Sequence, residues 1–226
     1  MASVYNTSQR ELEVIFFEDN ILATVTHSPS IVDQWLSLIQ RIHSRRLHRL
    51  IVGFDVEWRP NRHRGATNPV AVLQLCVGRR CLIFQIRYSR TIPQSLTSFL
   101  NNHDYTFVGV GIRGDVNKLY QDYGLWVTRT MDLRTLAAQS LDMNELKRAG
   151  LKTLALVVLD KEVEKPHYIT MSNWENFHLS DDQQLQLKAP MAKLAAVTTA
   201  AWTGNDYLAR HPRKPPTKTT SRSEVI

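Results

Sequence analysis

The order of hydrophobic and polar positions predicts strands at the start of the chain. β-forming residues fill 12–17 and 21–26, and the turn-forming run 18–20 between them indicates a hairpin. Ser28 followed by Pro29 is typical of a helix start, and the apolar residues that follow recur at helical spacing. The pattern therefore predicts a β-hairpin followed by an amphipathic helix.

The middle of the chain alternates between the two kinds of element. Strands are predicted at 50–58, 70–77, 81–86 and 105–111, with helices at 93–100 and 115–123. The nearly continuous apolar start of the first of these strands predicts a central position, buried on both faces. From Leu133 onward the pattern is helical, including 151–159 and 180–202. This order predicts an α/β fold, a mixed β-sheet flanked by α-helices.

Composition and charge refine this picture. A chain of 226 residues that is 43% hydrophobic suits one domain, predicted at 1–210, with a basic, disordered tail at 211–226. The net charge of +7 favours a polyanionic partner such as nucleic acid. Neither a long apolar run nor a signal-peptide pattern occurs, so we expect an intracellular protein of the nucleus or cytoplasm that is not secreted and binds no membrane.

The chain has two cysteines, Cys76 and Cys81, which flank a predicted hairpin turn. They could face each other across two strands. Without an export signal, however, we expect both to be reduced thiols, because disulfides are rare inside cells. Their spacing does not match a zinc site.

Two carboxylates stand side by side near the end of the central strand. Side chains alternate along a strand, so Asp55 and Glu57 share one face while Phe54 and Val56 share the other. Like charges in a partly dehydrated place repel each other unless a cation neutralises them. Oxygen ligands suit Mg²⁺ or Mn²⁺. A strand end hydrated by solvent is the alternative interpretation.

A third carboxylate, Asp115, is predicted near the start of a helix. The positive end of the helix dipole would favour it there on structural grounds alone. Glycines 109, 111 and 114 precede it and match the dinucleotide-binding pattern, with Asp132 further along. That alternative is the weaker one, because several strands come first and Asp115 would stand where the pyrophosphate belongs.

Together these residues resemble a known family, the DEDD-type 3'-5' exonucleases of the DnaQ-like, RNase H-like fold. The likeness is greatest to the branch with the Werner-syndrome helicase exonuclease domain and its plant relatives. Its motifs follow in order along the chain: FDVEW at 54–58, AVLQLC at 71–76, FVGVGI at 107–112 with Asp115, Lys118 and Leu119, Asp132-Leu133, GLKTL at 150–154, Lys165-Pro166, Trp174 and LSDDQ at 179–183.

The resemblance implies metal-assisted hydrolysis of the terminal phosphodiester at a 3' end. It implies that Asp55 bridges two Mg²⁺ or Mn²⁺ ions. It further implies that Glu57 helps to bind the ion that activates water and that Asp115 holds the second ion through water. The partner would be single-stranded nucleic acid or a frayed 3' end, and homo-oligomerisation is left open.

The third motif departs from the family. Gln186 and Pro190 occupy the places where relatives carry a tyrosine and a metal-binding aspartate. Neither side chain can take over its counterpart's role. Two hypotheses follow: a weakened exonuclease, slow or preferring Mn²⁺, or a catalytically silent module that binds nucleic acid or supports an assembly.

Residues after the first motif are candidates for substrate binding. Arg59, Arg62 and Arg64 form a basic stretch beside the expected site and could follow the phosphate backbone without reading sequence. A solvated basic loop is the alternative. Trp58 either borders the site or packs in the core, and packing is favoured.

Overall fold

In the computed structural model, residues 9–16, 19–60, 67–159 and 174–177 are described, and they contain a mixed sheet with helices on both faces. The strands are β1 (Gln9–Phe16), β2 (Asp19–Thr26), β3 (Ile51–Trp58), β4 (Val70–Val77), β5 (Arg80–Phe84), β6 (Thr106–Gly109) and β7 (Thr130–Asp132). The α-helices are α1 (Pro29–Ile42), α2 (Gln94–Leu100), α3 (Ile112–Tyr123), α4 (Leu133–Leu141) and α5 (Leu151–Leu159). Short 3₁₀ helices lie at Ser44–Arg49, Ile86–Tyr88 and Asn144–Arg148.

The strand order is β1-β2-β5-β4-β3-β6-β7. Strand β3 pairs with β4 antiparallel and with β6 parallel, so it lies in the interior of the sheet. The predicted central position of this strand is confirmed. Its register shifts between Glu57 and Trp58, a bulge that ends the regular pairing with β4.

The two faces of the sheet pack against different helices. On one face, Phe54 and Phe107 join a core that includes residues of α1, α2 and α3. On the opposite face, Val108 packs against residues of α4 and α5. Neighbours in sequence thus point to opposite sides, as strand alternation requires. The predicted α/β class, a mixed sheet flanked by helices, is confirmed.

Several predicted boundaries need correction. Helix α3 begins at Ile112, three residues before the predicted start, because Gly111 takes a left-handed conformation (φ +72°) that ends β6 and starts the helix. The sequence pattern gave no sign of β7, which has three residues and lies at the sheet edge. The predicted helix at 180–202 and the predicted tail at 211–226 lie outside the described residues.

The prediction that both cysteines are reduced is wrong. Cys76 and Cys81 face each other in register across the β4–β5 hairpin with Cα atoms 4.2 Å apart, and the structure pairs them in a disulfide. Directly facing residues in an antiparallel pair approach this closely, which is why hairpin geometry brings the two sulfurs together. The sequence indicated that the two cysteines could face each other, but the absence of an export signal was given more weight than this proximity.

The described helices were compared with the length and hydropathy that a membrane span requires. None of them is long and apolar enough to cross a membrane.

At Gly109, the backbone of β6 lies close to the backbone of β3. A Cβ atom added to Gly109 would lie 2.5 Å from the Phe54 carbonyl oxygen on β3. A glycine is therefore needed at position 109 so that β3 and β6 can pack closely. This requirement explains the first glycine of the pattern that resembled a dinucleotide-binding site. Gly114 differs, because an added Cβ there meets nothing within 4 Å.

These two glycines give a matched pair of stability predictions. Gly109→Ala should lower the free energy of unfolding by about 2–3 kcal/mol, because β3 and β6 must separate to admit the methyl group. Gly114→Ala should raise it by about 0.5–1 kcal/mol, since alanine restricts the unfolded chain and favours helix. Urea denaturation of both variants measures the difference. Equal stabilities would contradict the close contact.

Candidate active site

Two of the predicted site residues lie on β3. Asp55 is opposite Gln74 on β4, and Glu57 is opposite Val72. Phe54 and Val56 are buried on the other face, with 1% and 3% of their surface exposed. The anchoring of these apolar neighbours holds both carboxylates on the α4/α5 side of the sheet. Both acids are partly buried.

The turn from β6 to α3 brings a third acid to this edge. Because β6 is parallel to β3, the chain leaves β6 at the same end where Asp55 and Glu57 stand. Gly111 then starts α3 and places Asp115 in its first turn. Burial, followed by the negative charges of Asp55 and Asp132, raises the pKa of Asp115 to about 8, although Arg134 opposes this shift. Asp55 and Asp115 are therefore brought together in a partly dehydrated space.

Asp132 and Arg134 brace the start of α3, a role that sequence reasoning missed. One Asp132 oxygen accepts hydrogen bonds from Arg134 N at 2.9 Å and Arg134 Nε at 3.0 Å. The other accepts from Arg134 Nη2 at 2.6 Å and from the backbone N of Gly111 at 3.1 Å. Burial would raise the pKa of Asp132, but these hydrogen bonds outweigh it and hold the pKa below its usual value. The sequence offered a signal for a structural role of Asp132, since it directly precedes α4 and an acid in this position is a common N-cap.

The expected three-carboxylate cluster is only partly assembled. Within the described residues, no group of three or more His, Cys, Asp or Glu side chains is already arranged to hold a metal ion. The close pair is Asp55 with Asp115, and Glu57 lies two residues further along the same face of β3. Two repelling carboxylates that offer only oxygen donors fit the charge and ligand preference of a hard divalent cation.

The residues proposed to bind nucleic acid have structural partners. Trp58 is partly buried against the core, as favoured, and Lys118 Nζ lies 5.2 Å from the centre of its ring. Arg59 Nη1 pairs with Glu175 Oε2 at 3.2 Å. Arg62 and Arg64 lie outside the described residues, as do Gln186 and Pro190.

Lys118 links α3 to the segment that returns to β4. Its Nζ donates to the Asn68 carbonyl oxygen at 2.7 Å and pairs with Asp122 at 3.1 Å. Asp122 in turn accepts from the backbone N of Val70 at 2.8 Å. These contacts hold the first residues of β4 beside α3, which carries Asp115.

Gln74 is a second residue that sequence reasoning passed over. It is the one polar side chain of β4, a strand whose residues are all buried, and it faces Asp55 across the strand pair. Neither its Nε2 nor its Oε1 has a hydrogen-bond partner among the described residues. A buried polar group left in this way costs about 1–3 kcal/mol. The signal was a single glutamine inside a run of apolar residues.

The raised pKa of Asp115 gives a pH-dependent prediction for the metal-free protein. Its pKa of about 8 exceeds the usual aspartate value of 3.8, so the folded state binds more protons than the unfolded state between those values. Stability should therefore fall as pH rises through this window. Asp115→Asn does not ionise, so the variant should be more stable than the parent by on the order of 2–4 kcal/mol at pH 8, with the gap closing towards pH 4.

Urea denaturation in chelator-treated buffer from pH 4 to 8 measures this difference. The matched control is Asp104→Asn, at an exposed carboxylate before β6, which should follow the parent at every pH. Parallel pH profiles for the parent and Asp115→Asn would refute the charge repulsion.

Comparison with known proteins identifies a family that this chain resembles. A family model described as 3'-5' exonuclease matches residues 29–185. A 3'-5' exonuclease of Arabidopsis thaliana is 40% identical over 140 residues, covering 61% of this chain and 47% of that protein. The bifunctional 3'-5' exonuclease/ATP-dependent helicase WRN of Mus musculus is 38% identical over 136 residues, covering 60% of this chain and 10% of that protein.

Further relatives extend the match. The exonuclease 3'-5' domain-containing protein 2 of Homo sapiens is 31% identical over 173 residues, covering 74% of this chain and 27% of that protein. A crystal structure of the EXD2 exonuclease domain matches with 25% identity and a TM-score of 0.48, covering 84% of this chain and 95% of that one. The chain thus spans about half the length, or less, of the curated relatives named here.

The family match covers more than half of the chain, and it includes β3 and α3, which carry the three acids. The resemblance predicted from the sequence motifs is confirmed, as is the RNase H-like α/β fold that it implied. The chain belongs to the 3'-5' exonuclease family.

Proposed function

We propose that this protein is a divalent-metal-dependent 3'-5' exonuclease in which Asp55, Glu57 and Asp115 hold Mg²⁺ or Mn²⁺. The observation that carries the proposal is the closeness of the Asp55 and Asp115 carboxylates in a partly buried place. Burial, and then the negative charge of Asp55, raise the pKa of Asp115 to about 8. Such a pair is stabilised when a cation binds. Membership of the exonuclease family gives the reaction that this cation would serve.

The chemistry follows from the ligands that the chain offers. Divalent cations bound at such a site activate water and stabilise the charge that develops on phosphate and leaving oxygen during hydrolysis. Asp55 lies on β3 in the interior of the sheet, and in the proposed site it would contribute to binding more than one cation. Glu57 and Asp115 approach from β3 and α3 respectively, so each would complete a different side of the site.

Protonation couples the site to pH. With a pKa near 8, Asp115 carries a proton in the metal-free protein at neutral pH. Cation binding requires the ionised carboxylate, so Asp115 must release that proton. Arg134 cannot substitute for the cation, because its guanidinium group is held by both oxygens of Asp132.

The proposed substrate is single-stranded nucleic acid or a frayed 3' end, of either DNA or RNA. The proposed location of the protein is the nucleus or the cytoplasm. The net charge of +7 favours binding to phosphates. Arg59, Arg62, Arg64 and Trp58 follow the first motif and are proposed to contact the backbone near the scissile bond. Arg59 would exchange its pairing with Glu175 for a phosphate. Gln186 and Pro190, in the place of the usual third motif, lead us to expect slow turnover and a preference for Mn²⁺.

A nuclease assay tests the proposal directly. A 5'-labelled single-stranded DNA or RNA incubated with Mn²⁺ or Mg²⁺ should shorten stepwise from its 3' end. Asp55→Asn and Asp115→Asn should each lower the rate about 100-fold or more, since metal-assisted charge stabilisation supplies several kcal/mol. Asp104→Asn, at the opposite end of β6, is the control that should keep the parent rate.

Two results would contradict the proposal. Shortening that survives both substitutions would place the activity elsewhere or in a contaminant. An oligonucleotide that binds but is never shortened with either cation would identify a catalytically silent nucleic-acid-binding protein.

A further inference from the structure

The side chain of Gln74 lies between the proposed site and an apolar cluster. On β4 it faces Asp55 of β3 on one side and Ile83 of β5 on the other. Cross-strand partners point to the same face, with Cβ atoms about 4.5–5.5 Å apart. The side chains of Gln74 and Asp55 therefore project from neighbouring positions on the same face, which also carries Glu57.

The other neighbours of Gln74 are apolar and fully buried. Val72, Cys76 and Ile83 surround it and pack in a cluster with Trp174. Gln74 itself is 1% exposed, and both polar atoms of its amide lack a partner in the part of the chain that the structure describes. An apolar side chain would suit these surroundings better, so packing does not explain a glutamine here.

Gln85 shows how this fold satisfies a buried glutamine elsewhere. It is 5% exposed, and its Nε2 donates to the carbonyl oxygens of Asn176 at 3.4 Å and Phe177 at 3.0 Å. Gln85 thus ties a neighbouring segment to the end of β5. Gln74 has no such structural contact among the described residues.

We propose that Gln74 is a positioning residue for Asp55, an inference that rests on the proposed metal-dependent function. In the metal-loaded site, its amide N–H donates to one Asp55 oxygen and fixes the carboxylate so that the other oxygen faces the cation. An amide suits this role because it donates without carrying charge. A cationic donor in the same place would compete with the metal ion. Contacts of this kind orient metal ligands and tune metal affinity.

The test separates positioning from folding by measuring Mn²⁺ affinity and metal-free stability in the same variants. Gln74→Met and Gln74→Leu replace the glutamine with an apolar side chain of similar size and so remove the amide. Both should raise the Kd for Mn²⁺, measured by calorimetry, about 10–100-fold. Their metal-free Tm should be no lower than that of the parent, because an unpartnered buried amide has been removed.

Gln85→Met is the matched control. Its side chain has structural partners, so this variant should lower the metal-free Tm and leave the Kd for Mn²⁺ within about twofold of the parent.

The outcomes are distinguishable. An unchanged Kd in both Gln74 variants would overturn the positioning role while the proposed function stands. A metal-free Tm lowered in both, as in Gln85→Met, would also overturn it, because Gln74 would then be structural. A parent protein that binds no Mn²⁺ would overturn the metal-dependent function itself, and the role of Gln74 with it.

Discussion

The Asp55 and Asp115 carboxylates repel each other in a place where burial makes two negative charges costly, and the surrounding structure holds them close together. Asp55 is fixed by the sheet, since its neighbours Phe54 and Val56 are buried in the core. Asp115 is fixed by α3, whose start depends on the left-handed Gly111. Gly109 lets β6 lie close to β3, because a Cβ atom at this position would come within 2.5 Å of the Phe54 carbonyl oxygen. Backbone packing thus opposes the separation that electrostatics alone would favour.

The charged side chains near Asp55 and Asp115 have different structural roles. Asp132 binds Arg134 and the Gly111 backbone, so it braces α3 and keeps a positive charge near Asp115 without an ion pair between the two. Lys118 holds the entry to β4 and lies over Trp58. These contacts hold the start of α3, and with it Asp115, beside β3. Under the proposed function, a bound cation would relieve the repulsion between Asp55 and Asp115 that folding imposes.

Sequence reasoning predicted what periodicity and local chemistry determine. The alternation in β3 placed Asp55 and Glu57 on one face, and the apolar run placed that strand inside the sheet, as the structure confirms. It failed where tertiary contacts decide: β7 is too short for a periodic signal, and α3 starts early because glycine permits a left-handed turn. The Cys76–Cys81 pairing follows from hairpin register, which the sequence suggested but which the argument from cellular compartment wrongly outweighed. In the sequence, Gln74 appears only as one polar residue within an apolar strand, because its neighbour Asp55 lies on a different strand.

The most direct test of the account is the number of protons released when Mn²⁺ binds, obtained by calorimetry at pH 6.5–7 in buffers of different ionisation enthalpy. With a pKa of about 8 for Asp115, most molecules carry a proton on this carboxylate before the cation binds. We expect release of close to one proton per protein molecule, and loss of that release in Asp115→Asn. Mn²⁺ binding without proton release, or with equal release in the variant, would contradict it.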